Sequence, residues 1–199
     1  ISIFVVGTLP QGSMVRRAGA KPGDRIFVTG SLGDAAFGLK LLQEPARKTT
    51  WQLNDADAKF LIDRYRLPRP RVALHDAVRA YASASMDVSD GLLGDLGKLC
   101  EQSKVSAQIE VKALPLSSAA RQALRCEPAL IEKVATGGDD YEILCAIPSE
   151  HVQDFRKAAE GAAVPVAEIG EAAEGSEAPQ LIAADGKALT FARTSFSHF

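Results

Sequence analysis

The sequence has little of what marks membrane or disulfide-rich proteins. No apolar run approaches the roughly 18 residues that a membrane helix needs, so we expect no membrane partner. The three cysteines (Cys100, Cys126 and Cys145) lie far apart and form no Cys-x-x-Cys pair. A disulfide scaffold or a structural zinc site is therefore not expected, and the cysteine usage is typical of a reducing cytoplasm.

Charge of one sign is not in excess either. The chain has 23 basic and 25 acidic side chains, for a formal net charge of −2. General nucleic-acid-binding proteins carry a basic excess, so nucleic acid is not an expected partner. A local basic site for one phosphate group remains open. Aromatic residues make up 6% of the chain, so Leu, Val, Ile and Ala must build most of the core.

What is present indicates a layered α/β fold. The length of 199 residues suits one large domain or two small ones, and the apolar share of 46% is ordinary for a globular chain. Strand-like and helix-like segments alternate, and a hairpin follows near the end, which predicts a mixed sheet. Candidate N-cap residues are Asp34, Asn54 or Asp55, and Ser149. The expected strands are 25–29, 105–111, 141–147 and 163–169, the expected helices are 35–43, 55–65, 72–83, 92–100, 118–124 and 150–159, and the hairpin joins 180–183 to 188–191.

The chain begins with an apolar, strand-like run, residues 1–8, without an initiator methionine. It shows none of the basic, apolar and small-residue stretches that make up a secretory signal. We interpret this start as the interior of a longer protein.

The strongest local feature is Met86-Asp87-Val88-Ser89-Asp90-Gly91, at a junction between extended chain and helix. Carboxylates three residues apart can hold Mg²⁺, a hard cation that prefers oxygen ligands. A hydroxyl and the free amides of a helix start can hold phosphate oxygens. The alternative is that Ser89 or Asp90 only caps the helix.

A second feature is Thr136-Gly137-Gly138-Asp139-Asp140-Tyr141-Glu142. Paired glycines let a backbone approach a ligand closely, and clustered acids repel one another unless a cation or a polar ligand lies among them. A tight turn before a strand, with solvated acids, is an equally good interpretation.

Three other features are weaker evidence for a ligand or catalytic site. The turn Gly30-Ser31-Leu32-Gly33-Asp34 has neither the spacing of a dinucleotide fingerprint nor that of a P-loop, so we interpret it as structural. Either of the adjacent arginines Arg16 and Arg17 could bind a phosphate through its forked guanidinium. The three histidines are scattered, and no serine or cysteine lies in a nucleophile elbow.

Taken together, these segments resemble thiamine-monophosphate kinase. The resemblance rests on GAKPGDRIFVTGSLGDAAFGL, MDVSDGLLGDLGKLCEQS, LPLS, ATGGDDYEIL and the terminal SFSHF, in that order. The wider superfamily includes aminoimidazole-ribonucleotide synthetase, selenophosphate synthetase and a hydrogenase maturation protein. The resemblance implies a three-layer α/β/α domain with a mixed sheet, similar to the carboxy-terminal domain of aminoimidazole-ribonucleotide synthetase.

The resemblance also implies a reaction. Members of the family use ATP and Mg²⁺ to phosphorylate thiamine monophosphate, giving thiamine diphosphate and ADP. By similarity, Asp87 and Asp90 would bind Mg²⁺, and Ser89 would contact ATP. Arg17 would contact ATP phosphate, with Arg16 as the alternative. The acceptor phosphate is already an anion, so no side-chain nucleophile or base is expected.

Two further positions carry over to the thiamine substrate. Asp139 falls where the family has an acidic residue that contacts it, and Phe196 falls at an aromatic position suited to stacking on its ring. Family members also have an amino-terminal domain that carries further aspartates and much of a homodimer interface. We expect residues 1–8 to be the last strand of that domain and residues 9–199 to be the carboxy-terminal domain. The chain alone would then be inactive. The alternatives are a ligand-binding half without activity, or another ATP-using member such as aminoimidazole-ribonucleotide synthetase.

Overall fold

A computed structural model describes residues 3–195 of the chain, and a single mixed sheet lies at its centre. Its strands are β1 (Arg25–Thr29), β2 (Ala84–Val88), β3 (Ser106–Glu110), β4 (Glu142–Ile147), β5 (Val166–Ala173), β6 (Gln180–Ile182) and β7 (Ala188–Leu189). The order across the sheet is β2-β4-β1-β5-β3-β6-β7. β3 and β6 are parallel, and the other neighbouring pairs are antiparallel.

Helices cover both faces of the sheet. They are α1 (Asp34–Gln43), α2 (Arg47–Thr50), α3 (Asp55–Arg66), α4 (His75–Tyr81), α5 (Leu92–Ser103), α6 (Ser118–Cys126), α7 (Ile131–Thr136) and α8 (Val152–Gly161). Short 3-10 turns precede α4, α7 and α8, and another follows β3. Within residues 3–195, no helix combines the length and the apolar character needed to cross a membrane.

The alternation of side chains along β1 shows how the layers form. Successive residues of a strand point to opposite faces of a sheet. Ile26 and Val28 join a large core cluster with residues of α1, α3, α5, α6 and α7. Phe27 joins a smaller cluster with residues of α4 and α8, where its ring lies edge-on to Phe155 at a centroid distance of 5.3 Å. The expected three-layer α/β/α arrangement is confirmed.

The ends of some helices and strands differ from those predicted from the sequence, because a tertiary contact takes the place of the expected local cap. Asn54 caps α3 as expected, its side chain accepting from the Asp57 amide at 2.8 Å. Asp34 and Ser149 do not cap. Asp34 is buried inside the first turn of α1, and Ser149 donates instead to the Gly23 carbonyl at 2.8 Å. The strand expected at 163–169 lies at Val166–Ala173, and the helix expected at 72–83 is a 3-10 turn followed by α4.

The amino-terminal segment takes no regular structure. Residues 3–8, for which a strand was expected, are irregular, and Ile3, Phe4, Val5 and Val6 are 84–96% exposed. A strand needs a hydrogen-bonding neighbour, and within the described part of the chain this segment pairs with none. The proposed membership of residues 1–8 in a preceding domain stays a prediction.

Candidate functional site

The two acidic motifs meet at one end of the sheet. Asp87 lies near the end of β2, and Glu142 is the first residue of β4. Because β2 and β4 are antiparallel neighbours, with Val88 opposite Glu142, the segment after β2 and the segment before β4 lie side by side. The amide of Asp139 donates to the Ser89 carbonyl at 2.9 Å, which fixes one segment to the other.

Glycines make this approach possible. Gly91 has a φ of +112°, and a Cβ added there would lie 2.6 Å from the Thr136 carbonyl carbon. A Cβ on Gly138 would lie 2.6 Å from the carbonyl oxygen of Ser89. Side chains at these positions would force the two segments apart, so the glycines serve close packing of the two loops.

The segment after β2 is held by a residue that sequence reasoning missed. α5 begins at Leu92, and neither Ser89 nor Asp90 caps it with a side chain. Instead, the buried carboxylate of Asp95 reaches back and accepts from the amides of Ser89 and Asp90 at 2.8 and 2.9 Å. The alternative of a simple cap is therefore wrong. Asp95 lies three residues after Leu92 and four before Leu99, on the buried side of α5, and no local pattern in the sequence identifies the amides that it binds.

A lysine bridges two of these acids. Lys98 Nζ lies 2.7 Å from Asp90 Oδ2 and 2.9 Å from Asp95 Oδ1. The hydrogen bond to Asp90, and to a smaller extent the one to Asp95, raises the pKa of Lys98. The Asp90 side chain is 43% exposed, and Asp87 is exposed as well. The face therefore presents two accessible carboxylates, with one ammonium group beside Asp90.

The second motif alternates exposed and buried residues. Asp139 and Tyr141 have φ values of +72° and +51°, in the left-handed region that non-glycine residues rarely adopt. Asp140, between them, is buried and accepts from the amides of Gly33 and Ala35 at 2.7 and 3.2 Å. Burial raises the pKa of Asp140 to about 7. The glycine turn before α1 thus binds a carboxylate of this chain, in keeping with a structural role for that turn.

The buried side chain of Glu142, the last residue of the same motif, anchors it to the interior of the domain. Its carboxylate is fully buried and is bound by Arg64 at 2.9 Å, by Arg71 at 2.6 and 2.7 Å, and by the Thr29 hydroxyl at 2.6 Å. An acid at the start of an otherwise apolar strand signals a buried partner. The arginines come from α3 and the segment after it, so their identity could not be deduced from spacing.

Different elements hold the backbone of the two arginines that the sequence predicts for phosphate binding. The carbonyl of Arg16 accepts from the Ser85 amide at 2.9 Å, and that of Arg17 accepts from the Ser103 hydroxyl at 3.3 Å. β2 is the end strand of the sheet, and both arginines are exposed. The backbone of Arg16 is therefore held beside the strand that carries Asp87, whereas that of Arg17 is held at the last residue of α5, the opposite end of this helix from Asp90.

The remaining named position, Phe196, lies outside the described residues. Its neighbour Ser195 lines a pocket of about 430 Å³ together with Gly138, Asp139, Lys133 and Arg193. The end of the described chain thus reaches the same loop as Asp139.

The acids of this face suit a magnesium ion in their donor chemistry. Magnesium is commonly held by one or two carboxylates, with substrate phosphates and water completing its shell. Asp87 and Asp90 offer carboxylates of this kind. Residues 3–195 contain no group of three or more His, Cys, Asp or Glu side chains that could form a complete metal site. The two carboxylates therefore suit a site in which other groups supply the remaining ligands, and not a complete site made by residues 3–195 alone.

Most of the chain matches a known protein family. Residues 21–180 match the family described as AIR synthase related protein, C-terminal domain. The chain belongs to this family. It is 44% identical to the thiamine-monophosphate kinase of Caulobacter vibrioides over 179 residues, 88% of this chain and 48% of the relative. It is 35% identical to that of Salmonella typhimurium over 199 residues, 100% of this chain and 59% of the relative. The chain thus spans about half to three fifths of these relatives.

Solved structures agree with the resemblance to thiamine-monophosphate kinases. The crystal structure of the enzyme from Stenotrophomonas maltophilia K279a matches with a TM-score of 0.80 and 36% identity, covering 91% of this chain and 56% of that one. A complex of AaThiL with AMPPCP and TMP matches with a TM-score of 0.75 and 33% identity, covering 93% and 54%. Escherichia coli HypE, at 18% identity and a TM-score of 0.71, shares the fold.

Proposed function

We propose that the protein containing this chain transfers a phosphoryl group from ATP to thiamine monophosphate, giving thiamine diphosphate and ADP. The observation that carries the proposal is the meeting of the MDVSDG and TGGDDYE segments at one end of the β2–β4 pair. These are the segments on which the resemblance to thiamine-monophosphate kinases rests. AMPPCP, bound in the AaThiL complex, is an analogue of ATP and adds support for ATP as the donor.

Each site residue has a proposed role. Asp87 and Asp90 hold Mg²⁺, while Ser89 and Arg17 contact ATP, with Arg16 as the alternative to Arg17. The accessible carboxylates of Asp87, near the end of β2, and of Asp90, just after it, support the first assignment. The exposure of both arginines and the contact of Arg16 with Ser85 of β2 support the second. For the thiamine substrate we propose Asp139 and Phe196. The pocket shared by Asp139 and Ser195 supports placing the chain end near that substrate.

The chemistry needs positioning more than proton transfer. The acceptor is a phosphate oxygen, already anionic at neutral pH, so no general base is required of this chain. A bound Mg²⁺ would neutralise charge on the phosphates. The chain contributes a rigid frame: Asp95 fixes the backbone of Ser89 and Asp90, and the glycine contacts keep the two loops together. Fixed placement of charged groups is the main source of acceleration in such transfers.

We further propose that activity requires the amino-terminal half that the longer relatives possess. This chain covers 48% of the Caulobacter relative and 59% of the Salmonella relative. Its two accessible carboxylates do not complete a metal shell among residues 3–195. The whole protein is proposed to be a homodimer of the cytoplasm. The three free cysteines are in keeping with a reducing compartment.

The test uses the full-length protein that contains this chain. Purified protein with ATP, Mg²⁺ and thiamine monophosphate should form thiamine diphosphate, measured by chromatography. Asp87→Asn and Asp90→Asn should abolish turnover while leaving the unfolding transition in place. Asp185→Asn is the matched control, since Asp185 lies in the β6–β7 turn, where asparagine is also favourable. Normal turnover in both site variants would overturn the metal assignment. ADP release with an aminoimidazole-ribonucleotide synthetase substrate, but not with thiamine monophosphate, would overturn the substrate.

A further inference from the structure

Tyr141 stands out among the residues of the two loops. The residue is 39% exposed, and its backbone has a φ of +51°, which is unusual for a bulky residue. Its amide donates to the Val88 carbonyl at 2.8 Å, and its hydroxyl donates to Asp139 Oδ1 at 3.2 Å. The ring is thus held at the surface of the loop pair by a fixed and strained backbone.

Core packing does not explain this placement. Tyr141 belongs to neither hydrophobic cluster of the described residues. Its neighbours Asp140 and Glu142 supply the anchors, through the amides before α1 and through Arg64 and Arg71. Strained residues held in place by well-anchored neighbours are frequent at ligand sites. The ring itself therefore needs another explanation.

The electrostatic surroundings of the ring point to a cation. Asp139 contacts the Tyr141 hydroxyl directly. Burial raises the pKa of that hydroxyl, and the charges of Asp139, Asp87 and Asp90 raise it further, so the ring lies in the field of three carboxylates and stays neutral. A neutral aromatic ring attracts cations over its face, above all poorly hydrated organic cations. Magnesium prefers carboxylate oxygens and gains nothing from an aromatic ring.

We propose that Tyr141 binds the positively charged thiazolium ring of the thiamine substrate over its aromatic face, with Asp139 as the neighbouring counter-charge. The proposal rests on the proposed function, which supplies the substrate, and adds a residue that selects for its cationic ring. Tyr141 is in this sense a specificity-determining residue, because it contacts the part of the substrate that does not react.

Three substitutions separate the ring from the backbone and the hydroxyl. Tyr141→Leu removes the aromatic face but keeps a bulky side chain. Tyr141→Phe keeps the face and loses the contact with Asp139. Tyr141→Gly removes the ring and also relieves the left-handed backbone. Tyr81→Leu is the matched control, because Tyr81 is a partly buried tyrosine that packs beside His151 and the smaller core cluster.

The readouts are calorimetric binding and steady-state kinetics of the full-length protein. Tyr141→Leu and Tyr141→Gly should raise the Kd and KM for thiamine monophosphate by about 2- to 30-fold, the range expected of a cation–aromatic contact, and leave the KM for ATP unchanged. Tyr141→Phe should stay within about threefold of wild type. Tyr141→Gly should unfold no more easily than wild type, which separates lost binding from lost structure. Tyr81→Leu should leave substrate binding unchanged.

A charge-matched comparison decides the mechanism. An analogue of thiamine monophosphate with an uncharged thiophene in place of the thiazolium should bind more weakly to wild type, and Tyr141→Leu should weaken it much less than the cation. Equal weakening of both ligands, equal effects on ATP, or wild-type affinity in the leucine and glycine variants would each overturn the proposal. If wild type forms no thiamine diphosphate, the proposed function fails. Binding of the thiazolium compound to the same variants still decides the role of Tyr141.

Discussion

Replacing Glu142 by alanine is expected to lower the free energy of unfolding by about 3–5 kcal/mol, because it strips the partner from a buried charge. The carboxylate has 0% exposure, and the Arg64 side chain that pairs with it has 2%. Arg64 Nη1 already lacks a hydrogen-bond partner among the described residues, so this guanidinium has no ready replacement. Thr29 would lose its acceptor as well.

A matched glutamate shows whether burial is the cause. Glu168 is also bound by two arginines, Arg25 at 2.8 Å and Arg156 at 2.6 Å, but its side chain is 24% exposed. Pairs of this kind contribute about 0–1 kcal/mol. Glu168→Ala should therefore cost far less than Glu142→Ala. Urea unfolding followed by circular dichroism measures both, at equal protein concentration and pH.

A double substitution tests the same reasoning from the other side. Glu142→Leu combined with Arg64→Met removes both buried charges and leaves apolar side chains of similar volume. The partly exposed Arg71 can turn to water. The double variant should recover at least half of the stability lost in Glu142→Ala. A loss below about 1 kcal/mol in Glu142→Ala, or no recovery in the double variant, would refute the account of a buried ion pair.

Two further outcomes follow from the loops. The pKa of Asp140 is 3.8 as an ordinary carboxyl and about 7 in the folded chain. Between these two values the folded chain holds a proton that the unfolded chain has released, so this carboxyl makes stability fall as pH rises through that window. Asp140→Asn should remove that part of the decline in urea unfolding measured across the window, and an unchanged slope contradicts the assignment. Lys98→Met should tighten Mn²⁺ binding to the full-length protein by about 2- to 5-fold, because the ammonium beside Asp90 competes with a cation. Paramagnetic resonance measures bound Mn²⁺, and unchanged or weaker binding counts against this competition.

Periodicity was a good guide to the elements and a poor one to their ends. The sequence predicted β1 and the Asn54 cap correctly, because both depend on residues that are neighbours in the chain. Asp34 looked like a cap in the sequence, yet Gly33 holds that position and Asp34 turns inward, where it accepts from the Ser117 hydroxyl at 2.6 Å. That contact joins residues 83 positions apart, and no local pattern reveals it.

At the candidate site, too, the sequence indicates local features and does not reveal contacts between distant residues. The sequence drew attention to Asp87 and Asp90 as carboxylates three residues apart at a helix start, and to Asp139 as an acid after paired glycines. Their roles stay predictions. Asp140 could not be distinguished from Asp139 in the sequence, although one is buried against α1 and the other is accessible. The left-handed backbone at Asp139 and at Tyr141, on either side of Asp140, accompanies this difference, and only the folded backbone displays it.

The buried carboxylates of Asp140 and Asp95 occupy backbone amides that would otherwise be open to a ligand. Helix starts usually attract phosphate through unpaired amides. Here Asp140 already accepts from Gly33 and Ala35, and Asp95 already accepts from Ser89 and Asp90. A phosphate that approached this face would therefore not find these four amides open. Its negative charge would have to be matched by side chains or by an accompanying cation.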